Sequence, residues 1–120
     1  MLAIYRELQQ NEFSQAMKIR LEVFVEEQRV PLEEEHDSHD LTAKHFGVFL
    51  EGSLVGTGRL MLHERTAAIG RVAILSEFRG LGLGSGLIRA MIEQAKGAGV
   101  EEFVLGAQIQ ALCFYEKLGF

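Results

Sequence analysis

The stretch Arg79-Gly80-Leu81-Gly82-Leu83-Gly84-Ser85-Gly86 alternates glycine with other residues directly before the strongest helical pattern in the chain. With no side chains in the way, successive backbone N–H groups there can converge on an anion, and a helix N-terminus adds roughly half a positive charge. Two linked phosphates suit such a cradle. A nucleotide P-loop needs a glycine, four intervening residues and then Gly-Lys-Ser/Thr, and this turn holds no lysine, which makes ATP and GTP poor candidates. The dinucleotide fingerprint needs glycines at positions one, three and six. Counted from Gly80 the sixth is Ser85, and from Gly82 it is Leu87, so neither frame fits. The plain alternative is a tightly packed strand-to-helix turn with no ligand.

Other residues of chemical type are less ordered in their spacing. Glu33, Glu34, Glu35, Asp37 and Asp40 place five carboxylates in eight residues, with His36 and His39 among them. Two histidines three apart in an acidic loop lack the fixed third and fourth ligands of a structural zinc site, and no metal is expected. Such a loop beside a cleft would instead attract a cationic amine. Cys113 has no activating base nearby in sequence and reads as a small core residue.

The elements that must carry these residues follow from periodicity. Leu2 to Tyr5 reads as a short strand, and Glu12 to Glu27 repeats apolar residues at helical spacing through Phe13, Ala16, Met17, Leu21, Phe24 and Val25. The polar stretch Leu32 to Asp40, beside Pro31, is a loop. Ala43 to Leu50, Leu54 to His63 and Ala67 to Leu75 have strand composition, and Glu51-Gly52-Ser53 turns the first into the second. Phe46, Val48 and Leu50 alternate with His45, Gly47 and Phe49, so both sheet faces carry apolar side chains and helices are expected on both. Leu83 to Lys96 is a helix stopped by Gly97 and Gly99, Glu102 to Gly106 a buried strand, and Gln108 to Leu118 a last helix. The predicted order is β-α-β-β-β-α-β-α in a mixed α/β sheet. The crossover from the Val72 strand to the Gly106 strand should make those two strands parallel.

At 120 residues the chain is one domain, residues 1–120, and 12 basic against 17 acidic residues leave it at −5. That balance argues against a nucleic-acid partner, which needs a clustered positive field. No run approaches the roughly 20 apolar residues of a membrane span, so no membrane partner is expected. A single cysteine and a charged N-terminus point to the cytoplasm.

The segment Arg79 to Gly84 resembles the Arg/Gln-x-x-Gly-x-Gly/Ala signature of the GNAT superfamily of acyl-CoA-dependent N-acyltransferases. Gly70 to Leu75 looks like that family's central strand, and Phe114-Tyr115-Glu116-Lys117-Leu118-Gly119-Phe120 like its last-helix motif. Val23 to Pro31, with Asp37, Asp40 and His45, is similar to the small ElaA-like branch. The resemblance implies acetyl-CoA as co-substrate, no metal, and a small-molecule or peptide amine as acceptor. It places Arg79, Gly80, Leu81, Gly82, Leu83, Gly84 and Ser85 around the coenzyme A diphosphate. Val72 and Ile74 would bond the pantetheine arm as an added strand, an N–H of Val72 or Ala73 would face the thioester oxygen, and Ala107, Gln108 and Phe114 would edge the slot.

Tyr115 is implied as the acid that protonates the departing thiolate, a role open to a phenol because its ordinary pKa near 10 keeps it protonated at neutral pH. An amine of pKa near 10.4 is neutral in about one molecule in 2,500 at pH 7, so a base is also needed. By residue type His45, Glu26, Glu27 and His63 are candidates, of which His45 has the right intrinsic pKa and starts a central strand. Arg71 reads equally as a phosphate contact or as the partner of an acidic neighbour. The family ordinarily continues for two strands past its last-helix motif, so the resemblance implies a domain shortened at its C-terminus, or strands supplied by a partner chain, or a more open acceptor side, with a sheet edge that favours homodimerisation or aggregation. Two rival readings stand beside the enzyme: a non-catalytic acyl-CoA sensor, and a nucleotide-phosphate binding module.

Overall fold

The computed structural model of the protein describes residues 2–27, 29 and 42–105. Five strands form one sheet in the order β1-β2-β3-β4-β5: β1 (Ala3–Glu7), β2 (Lys44–Leu50), β3 (Ser53–His63), β4 (Thr66–Ile74) and β5 (Glu102–Leu105). The first four are antiparallel neighbours, and β4 runs parallel to β5. The predicted meander and the parallel β-α-β unit are therefore both present. The predicted last helix, Gln108 to Leu118, and the acidic loop, Leu32 to Asp40, lie outside the described residues.

Local chemistry accounts for the junctions. Leu50 pairs with Ser53 around Glu51 and Gly52, whose φ values of 50° and 84° suit the type I′ turn that matches the twist of a two-residue hairpin. Helix α2 (Leu83–Gly97) ends in a Schellman motif: Val100 N–H donates to the Ala95 carbonyl at 3.1 Å and Gly99 N–H to Lys96 at 3.0 Å. Gly99 takes the left-handed φ of 92° that this motif asks of its C′ residue.

The sheet is covered on both faces. Leu87, Ile88, Met91 and Ala95 of α2 are fully buried against Phe46, Val48, Leu60, Ala67 and Ile69. On the other face Ile19, Val23 and Phe24 pack on Ala73, with Leu54 and Leu75 beside them. This second layer departs from the single helix expected over Glu12 to Glu27. A short 3₁₀ turn (Gln10–Glu12) leads into α1 (Phe13–Arg20), which widens into a π-helical segment over Leu21–Glu27. The wider turn brings Val23 and Phe24, four and five residues beyond Ile19, into one apolar cluster.

The strand alternation of β4 is interrupted by a bulge. Arg59 pairs with Gly70 and Thr57 with Ala73, so Arg71 and Val72 together oppose the single residue Gly58. Arg71 absorbs the extra residue at φ 52°. Consequently Ile69 and Val72, three apart, both face the α2 layer, while Ala73 faces α1.

Candidate active site

The path from β4 into α2 is short and tightly specified. Leu75 N–H donates to the Val55 carbonyl at 3.0 Å, a 3₁₀ turn follows over Ser76–Phe78, and Arg79 N–H closes weakly on Ser76 at 3.4 Å. Gly80 and Gly82 then sit at φ 81° and 77°, with nothing within 4 Å of where a β-carbon would stand on either. Their conformation, more than crowding, calls for glycine. The first bond of the α2 ladder runs from Gly86 N–H to the Gly82 carbonyl at 3.1 Å. The amides of Leu83, Gly84 and Ser85 thus precede any acceptor within the helix, and Gly82 supplies no side-chain cap. Such an end can hold an anion.

Beside the turn, β4 offers backbone groups along one edge. Ala73 and Ile74 pair with Thr57 and Gly56 of β3 on one side. On the other side β5 pairs only with Thr66 to Ile69, ending at Ile69 opposite Leu105. Among the described residues no strand covers Gly70 to Ile74 on that edge, which is where Val72, Ala73 and Ile74 were expected to meet an extended arm.

The Arg79 side chain turns toward the protein. Its Nε donates to the Ile74 carbonyl at 2.9 Å, Nη1 to Glu27 Oε2 at 2.6 Å and Nη2 to Glu27 Oε1 at 2.9 Å. These hydrogen bonds, with the attraction of the guanidinium charge, hold the Glu27 carboxyl below the usual carboxylate range despite its partial desolvation. A carboxylate so paired is a weak proton acceptor, which counts against Glu27 among the candidate bases.

The histidines separate by register. His63 pairs with Thr66 at the far end of β3, eight residues along β4 from Ile74, or about 26 Å at strand rise. His45 pairs with Arg59, which pairs with Gly70, so His45 stands two strands, about 10 Å, across the sheet from the start of the bulge. Its ring packs edge-on against Phe13 with centroids 4.7 Å apart. Tyr115, Gln108 and Phe114 lie outside the described residues. Among the described residues no three His, Cys, Asp or Glu side chains gather as a metal site would require.

Two features escaped the sequence reading. The bulge was visible only as a broken alternation, Ile69 and Val72 three apart. Gly86, the last glycine of the alternating stretch, is a packing residue: a β-carbon there would stand 2.3 Å from the Tyr5 ring and hydroxyl. Nothing in the sequence links those two residues.

The family model described as "Acetyltransferase (GNAT) family" matches residues 2–120. The chain is 34% identical over 111 residues to the uncharacterized N-acetyltransferase YjcF of Bacillus subtilis, covering 92% of this chain and 79% of the relative. It is 34% identical over 76 residues to a glucosamine 6-phosphate N-acetyltransferase of Trypanosoma brucei brucei, covering 58% of this chain and 52% of that one. The crystal structure of Escherichia coli ElaA superposes with a TM-score of 0.83 at 24% identity, covering 98% of this chain and 86% of that chain, a likeness of fold. Matched by the family model over residues 2–120 and 34% identical to a relative across 92% of its own length, this chain belongs to the GNAT family of acetyltransferases.

Proposed function

We propose that the protein transfers an acetyl group from acetyl-CoA to a primary amine, by direct attack within a ternary complex. The observation that carries this reading is the glycine turn, whose first-turn amides in α2 have no acceptor in their own helix, lying beside the stretch of β4 from Gly70 to Ile74 that no strand among the described residues pairs with on that edge. The amides from Gly80 to Ser85 bind the coenzyme diphosphate, and Val72 and Ile74 bond the pantetheine arm through their backbones. Gln108 and Phe114 border the same slot.

In the transfer, the amine lone pair forms the new C–N bond at the thioester carbon. Charge develops on the carbonyl oxygen, where an N–H of Val72 or Ala73 donates. Collapse breaks the C–S bond, and the thiolate takes its proton from Tyr115. The proton lost by the amine passes to a base; His45, level with the bulge, accepts it through water in this scheme. The acceptor class rests on the family's chemistry, and one relative's name gives an amino sugar phosphate as its own acceptor.

The test is free-thiol release from acetyl-CoA across a panel of amines, joined to thermal-shift titration with acetyl-CoA, CoA, ATP and NAD. Amine-dependent thiol release is the expected result. Stabilisation by acetyl-CoA without turnover for any amine would make the protein a sensor. Stabilisation by ATP or NAD alone would make it a nucleotide-binding module.

A further inference from the structure

We infer that Arg79 serves the coenzyme site as a positioning residue, clamped by Glu27 across the glycine turn, in place of a direct contact to phosphate. The inference rests on the acetyl-CoA reading above and concerns how the turn is held ready for it.

The geometry carries the argument. The guanidinium meets both Glu27 oxygens, at 2.6 and 2.9 Å, while its Nε holds the Ile74 carbonyl at 2.9 Å. Two planar groups facing each other in this way fix orientation as well as distance, and a lysine could make neither the fork nor the third bond. The pair also joins parts of the chain 52 residues apart: the end of the π-helical segment that follows α1, and the start of the turn that leads into α2. Ile74 is the last residue of β4. One side chain therefore fixes the strand end, the helix end and the residue before Gly80 relative to one another.

Electrostatics argue the same way. With Glu27 opposite, Arg79 adds little net positive field for a diphosphate, whose attraction falls to the amides of the turn and the α2 N-terminus. Both side chains remain about two-fifths exposed, at 41% and 39%, so solvent screens the pair and it adds little to overall stability. What it supplies is placement of glycines that are otherwise free to adopt many conformations.

The test measures acetyl-CoA affinity by calorimetry, and KM and kcat by thiol release, for wild type, E27Q, R79Q, R79K and the double variant E27Q/R79Q. A positioning pair predicts that E27Q and R79Q each weaken acetyl-CoA binding by about tenfold and that the double variant is no weaker than either. R79K should behave like R79Q, since charge without the fork does not restore the clamp. The loss should fall on KM for acetyl-CoA, with kcat at saturation within about twofold of wild type. If Arg79 were a phosphate ligand, E27Q would release it toward the coenzyme, and binding would hold or tighten while R79Q weakened it; that pattern overturns the inference. Should E27Q lower the melting temperature by more than about 5 °C, the comparison moves to E27D, which keeps the charge but is one methylene short of the fork. Wild-type protein that fails to bind acetyl-CoA overturns the coenzyme reading, and this inference with it. Wild type that binds normally while E27Q is unaffected overturns this inference alone.

Discussion

Tyr5 and Gly86 occupy one shared volume: the phenol of β1 fills the space that a β-carbon on the first turn of α2 would need, 2.3 Å from its ring and hydroxyl. An alanine at position 86 gains up to about 1 kcal/mol of helix propensity. Displacing a ring packed against the core costs about 1–3 kcal/mol, so the clash should win. G86A is expected to lower the denaturant midpoint, and Y5L/G86A to recover part of the loss. An unchanged midpoint in G86A would show that the ring has room to move.

Gly80 and Gly82 should respond differently, because no atom stands near either absent β-carbon. The cost of G80A or G82A is then backbone strain at positive φ, about 1–2 kcal/mol each. Each should also lower acetyl-CoA affinity beyond what the stability loss explains, since the amides of the turn are re-aimed. Calorimetric titration of folded G82A checks this; wild-type affinity would remove the turn from the coenzyme site.

Within the sheet, Gly56 and Gly58 make a controlled comparison. A β-carbon on Gly56 would meet Ile74 at 2.4 Å, Val48 at 2.8 Å and the Ala73 carbonyl at 3.1 Å. One on Gly58 would meet the flexible end of Met91, at 2.7 Å from its methyl carbon. Methionine can yield where branched side chains and backbone cannot. G56A should therefore destabilise by about 2 kcal/mol or more and G58A by less, read as the difference in urea midpoints. Equal shifts would mean that the Met91 side chain is held as firmly as the strand.

Acid should weaken the entry to α1. Arg6 grips both Glu12 oxygens at 2.9 and 2.7 Å, and Gln9 N–H donates to the same carboxylate at 2.9 Å. These bonds, the Arg6 pair first, hold the Glu12 pKa down to about 2 from 4.5. A depressed folded-state pKa means that the contribution is present in full above about pH 4.5 and is lost as pH falls toward 2. E12Q should accordingly show a shallower loss of stability across that interval than wild type. Parallel pH profiles for the two proteins would count against the pair.

Tyr115→Phe tests the proposed proton donor directly. Without the phenol, kcat should fall by about 10²–10⁴-fold while acetyl-CoA affinity stays within about twofold of wild type. Assayed by thiol release and by titration, a kcat near wild type would move the donor elsewhere. His45→Gln should lower kcat most for acceptors of high pKa, and an equal effect on all acceptors would leave His45 as a packing partner of Phe13.

Much of the architecture is written in short-range signals, and those can be read directly. The paired Glu51-Gly52 turn, the apolar periodicity of Leu83 to Lys96 and the Gly97 and Gly99 stop each act over a few residues, where backbone sterics and helix or strand period decide the outcome. The glycine turn belongs to the same class, and its recognition pointed to the family match over residues 2–120. The widening of α1 into a π-helical segment was not legible, because it arises from seating Val23 and Phe24 on Ala73, a residue of a distant strand.

Everything that depends on register was left to the folded chain. His45 and His63 are the same residue type on neighbouring strands, yet pairing sets one level with the β4 bulge and the other at the far end of the sheet. The bulge itself exists because Arg71 and Val72 must both fit opposite Gly58. Arg79 could be matched to a motif, but only the packing of α1 against β4 showed that its guanidinium reaches Glu27, 52 residues earlier. Local sequence dictates which elements form because their energies are summed over near neighbours. Which side chains meet is decided by strand order, bulges and burial, and those emerge only when the whole sheet closes on its two layers of helix.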